Sequence, residues 1–193
     1  MNLLPYLQKG IEYAGYIQKV NEQLQKLKTE GDTSGYAHYY ELGLARMERI
    51  HKTFQLNDEQ KKALKDIDPN FELLTISEGW CGDASQILPV ADVVMKELGV
   101  QQKIVFRDEN PELMDAYLTD GARSIPILIG VDTSGYELFR FGPRPAHGMD
   151  LLRKHKENPE AYNADQFHKD LQVWYNQDKG ESIVRELVQV MKS

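Results

Sequence analysis

A chain of 193 residues, 41% hydrophobic and 27% charged, is long enough for one filled core with added helices and too evenly mixed to be fibrous or extensively disordered. Its formal net charge of -7 argues against a nucleic-acid partner, because backbone binding needs a cationic face that displaces counterions. No apolar run reaches the roughly 20 residues that span a bilayer, the first ten residues lack a signal-like apolar stretch, and one cysteine forbids an internal disulfide; the expectation is a cytoplasmic, reducing setting with no membrane partner.

The chain opens with helical periodicity. Leu7, Ile11, Ala14, Ile17, Leu24 and Leu27 fall at helical spacing, interrupted by Gly10 and Gly15, and Tyr36, Tyr40, Leu44, Met47, Ile50 and Phe54 repeat the pattern after a turn over 31–35. Asn57 with Gln60 three residues on is a capping-box signature for a third, short helix. Pro69-Asn70 closes this region, and residues 71–77 read as a buried strand. A helix follows Gly82 and stops at Gly99, residues 103–106 form a second strand, and Asn110-Pro111-Glu112 starts the next helix with Asn as its cap. Strands over 125–129 and 136–141 are joined by the turn Asp132-Thr133-Ser134-Gly135, and residues 146–156, 164–177 and 181–192 read as helices separated by Pro159 and Gly180. The order strand, helix, strand, helix, strand, strand predicts an α/β fold with a small mixed sheet, since parallel pairs need helical crossovers and the last pair joins through a short turn.

Within this order, Trp80-Cys81-Gly82 sits between a strand and a helix, Pro89 follows eight residues after Cys81, Ser124-Ile125-Pro126 precedes the hairpin, and Gly142 follows the last strand. In these features residues 71–142 resemble the thioredoxin superfamily, most closely its bacterial members with helical additions and a Trp-Cys-Gly-Asp loop. The resemblance implies a thioredoxin-like three-layer fold with N-terminal and C-terminal helical extensions: residues 1–68 as a helical extension packed on the core, and 69–193 as the thioredoxin-like domain with a helical insertion near 144–180. It also implies a cis Pro126 beside the thiol, and a catalytic Cys81 flanked by a partner surface of Trp80, Gly82, Asp83, Ile125 and Pro126. Two departures limit what it implies. Ala84 stands where the superfamily carries its resolving cysteine, and Thr75 stands where it buries an acid.

The expected function is therefore that of a monothiol protein in cell redox homeostasis, not a conventional dithiol thioredoxin. Cys81 forms a mixed disulfide with a disulfide-bearing protein or a low-molecular-weight thiol, and an external thiol resolves it. Peroxide oxidation to a sulfenic acid, reduced by such a thiol, is a second route. The alternative is a non-catalytic thioredoxin-fold binding module, so whether the chain is an enzyme stays open here, as does its oligomeric state. The helix mouth favours a thiolate and the resemblance implies an exposed thiol, whereas Asp83, read as the helix cap with Gln86, opposes the charge; a buried small hydrophobe is the other reading of a lone cysteine. Trp80 reads equally as core or as a flank of the thiol. Arg140, Pro143, Arg144 and Pro145 read as a solvated basic loop, or as a receiver for the carboxylate of an anionic thiol. The five histidines are scattered, so no metal is expected, and no cofactor motif is present.

Overall fold

A computed structural model describes residues 1–33 and 35–193. Its elements run α1 (Leu4–Lys9), α2 (Tyr13–Glu30), α3 (Ala37–Thr53), α4 (Asp58–Leu64), β1 (Glu72–Ser77), α5 (Ala84–Leu98), β2 (Gln102–Phe106), α6 (Pro111–Ala116), β3 (Ile127–Val131), β4 (Glu137–Phe141), α7 (Ala146–Glu157), α8 (Ala164–Asp178) and α9 (Glu181–Met191). The turn expected over 31–35 includes residue 34, which lies outside the described residues.

The N-terminal periodicity breaks once, at Gly10, while Gly15 stays inside α2. Gly10 passes close to β2, where an added Cβ would lie 2.8 Å from that of Lys103. Just beyond it, Ile11 and Ile104 exchange backbone hydrogen bonds of 2.9 and 2.7 Å in an antiparallel bridge along β2. The capping box of α4 forms as expected: Asn57 accepts from the Gln60 N–H at 2.8 Å, and Gln60 accepts from the Asn57 N–H at 3.0 Å. Asn110, expected to cap α6, donates its side-chain amide to the Phe106 carbonyl at 2.7 Å instead, because the tight link from β2 presents that carbonyl first.

The sheet has the order β2-β1-β3-β4, with β1 parallel to β2 and antiparallel to β3, and β3 antiparallel to β4. β3 starts at Ile127, two residues later than the periodicity predicts. Its last partner on β1 is Ile76, and Pro126 has no N–H to extend the ladder. Alternation along β1 sends Leu74 and Ile76 to one face and Leu73 to the other. Leu74 and Ile76 join side chains from α1, α2, α3 and α6, whereas Leu73, Leu128 and Phe139 join α4, α5, α8 and α9. The result is a sheet covered on both faces, and each fully buried Leu or Ile contributes about 1.5–3 kcal/mol. α5 is buried along most of its length because α3 and α9 cover what the sheet does not.

Candidate functional site

β1 delivers the chain at Ser77, and Glu78-Gly79-Trp80-Cys81-Gly82-Asp83 turns it into α5. The Cys81 N–H closes the turn on the Glu78 carbonyl at 3.1 Å. α2 and α3 press directly on this loop. A side chain at Gly79 would overlap the Tyr40 ring and crowd Val20, so residue 79 must be glycine for the two N-terminal helices to seat. Opposite, Gly142 leaves β4 with φ 119° and packs its α-carbon against the Pro126 carbonyl, where a Cβ would clash. The Ile125-Pro126 bond is cis, as the resemblance implies, and Gly142-Pro143 is cis as well.

Cys81 is only 6% exposed, which corrects the expectation of an exposed thiol. The loop wraps the side chain between α5 and Ile125: Sγ donates to the Ile125 carbonyl at 3.3 Å and accepts from the Ala84 N–H at 3.4 Å. Burial, then the Asp83 charge, pushes the thiol up to about 12, against the Ala84 and Asp83 N–H groups and Arg144. The thiol rests protonated. The helix-mouth donors are present, but desolvation outweighs them.

Asp83 does not cap α5 with its side chain. Its carboxylate accepts from the Tyr175 hydroxyl at 2.8 Å and pairs with Arg144 at 2.8 Å. It turns away because these two stronger donors reach it from α8 and the loop before α7. Burial raises the Asp83 carboxyl above the ordinary range, opposed first by Arg144 and then by Tyr175. Arg144 is accordingly not part of a solvated loop: it lies over the Phe167 ring, and its Nε is buried without a partner among the described residues. Arg140 behaves differently, pairing with Glu137 at 3.2 Å and covering Tyr117.

Thr75, fully buried, uses its hydroxyl to accept from the Gln102 amide at 3.1 Å. The acid on this side of the loop is Glu78, 4% exposed, whose carboxylate accepts from the Asp108 N–H at 2.8 Å. Burial is the main cause that pushes Glu78 up to about 7.

Above Cys81 lies a cleft of about 740 Å³. Trp80, Gly82, Asp83 and Ile125 line it with Cys81, whereas Pro126 is buried outside the lining. Trp80 serves both readings made of it: it packs on the core and faces the cleft, with the Arg107 guanidinium 4.8 Å from its ring and Tyr36 at 5.6 Å. The sequence did not single out Glu78, Arg46, Arg107 or Tyr175. Only the basic stretch around Arg144 carried a signal. Among the described residues no three His, Cys, Asp or Glu side chains gather as a metal site, and no helix is long and apolar enough to cross a membrane.

A single cysteine between the first strand of a four-stranded mixed sheet and the next helix, with an Ile-cis-Pro turn against its sulfur, defines a one-cysteine thioredoxin-fold protein. The family model described as thioredoxin matches residues 31–160, and the chain belongs to that family. Among solved structures, a Pseudomonas aeruginosa protein of unknown function aligns over 100% of this chain and 98% of its own, at TM-score 0.66 and 15% identity. An HIV epitope-scaffold protein aligns over the same shares at TM-score 0.60 and 14% identity. Both likenesses concern the fold. No curated protein matches the sequence.

Proposed function

We propose that the protein acts in thiol–disulfide homeostasis as a monothiol thioredoxin-fold protein, with Cys81 forming a mixed disulfide with a partner seated in the cleft. The observation that supports this best is the sulfur at the cleft floor, met by the Ala84 N–H on one side and the Ile125 carbonyl on the other. In the step, Cys81 loses its proton, its sulfur bonds to one sulfur of the partner's disulfide, and the other sulfur leaves as a thiolate that takes up a proton. Ala84 cannot complete an internal cycle. An external thiol, supplied by a reducing cytoplasm, therefore attacks the mixed disulfide and frees Cys81. In this reading Trp80, Gly82 and Ile125 contact the partner, while Asp83 and Pro126 position the loop.

A second reading is favoured by the thiol pushed up to about 12: a binding module in which Cys81 does no chemistry. Intact mass after incubation with oxidised glutathione separates the two. Exchange chemistry gives one adduct, absent in Cys81→Ser, removed by excess reduced thiol and formed faster as pH rises. If the native protein stays unmodified up to pH 9 while the urea-unfolded chain is labelled, Cys81 is not a working thiol and the binding reading stands.

A further inference from the structure

The cleft over Cys81 runs against the charge of the whole molecule. The chain carries 30 Asp and Glu against 23 Lys and Arg, yet the charged groups lining the cleft are four arginines and one aspartate. That aspartate, Asp83, is already committed to Arg144 and Tyr175. Two of the other arginines are engaged at the rim: Arg123 grips Asp115 through two bonds of 2.7 Å, and Arg107 bonds Asp108 at 2.8 Å. Arg46 is the exception. Half-buried on α3, it makes no hydrogen bond or ion pair with any described residue, and a Cβ on Gly82 would lie 3.9 Å from its guanidinium. The charge that attracts it is Asp83, already paired with Arg144, so its burial is poorly compensated, and the planar fork is suited to a further carboxylate or a phosphate. The same cleft is lined by a row of aromatic rings in which Tyr36, 43% exposed, contacts both Trp80 and Tyr39, 56% exposed.

We propose that this cleft binds a small organic anion. Its carboxylate or phosphate group pairs with Arg46 beside Gly82, and its flat or apolar remainder lies against Trp80, Tyr36 and Tyr39, directly over Cys81. The volume of about 740 Å³ lies in the range of small-molecule sites, and a concave wall with few convergent polar groups is their usual form. With the other three arginines paired to Asp83, Asp115 and Asp108, the charge of Arg46 is the one that draws such an anion into the cleft of an otherwise acidic protein. The inference deepens the reading of the cleft as the partner's seat, and it makes that partner a low-molecular-weight anion.

Calorimetric titration of the full chain with 2-naphthoate, 2-naphthyl phosphate and neutral 2-naphthamide tests it. The two anions should bind at least about tenfold more tightly than the amide, as loss of one charge-assisted hydrogen bond implies. Arg46→Gln should abolish that preference, Arg46→Lys should keep part of it, and added salt should weaken the anions alone. Whichever anion binds more tightly identifies the headgroup, carboxylate or phosphate. Arg46→Gln should stay folded and melt close to the wild-type temperature, since it removes no hydrogen bond or ion pair among the described residues and only the longer-range attraction of Asp83. Equal binding of the amide, a preference that survives Arg46→Gln, or no binding at millimolar concentration overturns the proposal. The mass-adduct experiment stands apart from this one: anion binding without an adduct keeps the cleft and discards exchange, and an adduct without anion binding does the reverse.

Discussion

Two buried carboxyl groups bracket Cys81, Glu78 three residues before it and Asp83 two after, and they are buried alike but partnered differently. Asp83 meets a guanidinium and a phenol, from segments far along the chain. Glu78 meets one backbone N–H. Burial raises both, but only Asp83 has an opposite charge in contact that opposes the rise. The loop is thus anchored on its helix side by an ion pair, and on its strand side by an acid that titrates near pH 7. Cys81 lies between them, and its position beside Asp83 is, after burial, the second cause that pushes its thiol up.

The comparison breaks most visibly at Arg144. Arg144→Leu leaves Asp83 buried without its cation and should destabilise the fold by about 3–5 kcal/mol in urea unfolding. The double variant Arg144→Leu/Asp83→Asn should recover most of that loss. No recovery would mean that Arg144 acts through packing on Phe167 rather than through Asp83.

Next in size is the pH dependence set by Glu78. Its folded value of about 7 lies above that of the unfolded chain, so between roughly pH 4.5 and 7 the folded state binds the extra proton. Its contribution to stability is then full in acid and is lost as pH rises through 7. Relative to Glu78→Gln, wild type should lose about 3 kcal/mol across that window, measured as urea midpoints from pH 5 to 8. A constant difference between the two proteins would show that Glu78 does not titrate there.

Smaller again is Tyr175→Phe, which deletes one hydrogen bond to a charged acceptor while Arg144 remains, for a loss of about 1.5–3 kcal/mol. Asp83→Asn sharpens the chemistry rather than the stability. Removing the charge should move the Cys81 alkylation midpoint down from about 12 in an iodoacetamide series against pH, and an unmoved midpoint would leave burial as the sole cause.

Much of the fold was legible because its signals are local. The Asn57 and Gln60 capping box, the left-handed Gly99 that ends α5 and the strand–helix order each lie within a few residues. The cysteine, the cis Pro126 turn and the missing second cysteine were legible as a pattern. The environment of Cys81 was not. Asp83 followed by Gln86 has the local form of a cap, and nothing nearby reveals that Tyr175, 92 residues on, takes its carboxylate. Arg46 sits on a helix whose periodicity marks its apolar face, so a half-buried cation on the flank leaves no trace in the pattern. The Ile11 bridge was equally silent, because one residue pair has no period to read.

That bridge reaches beyond the site. By occupying the outward backbone groups of Ile104, the link between α1 and α2 covers the middle of one border of the sheet, and among the described residues β4 forms the other border. β4 is short and carries exposed Glu137 and Arg140. Edge-to-edge pairing with another chain is therefore hindered at both borders, at β2 by the chain's own bridge and at β4 by charge.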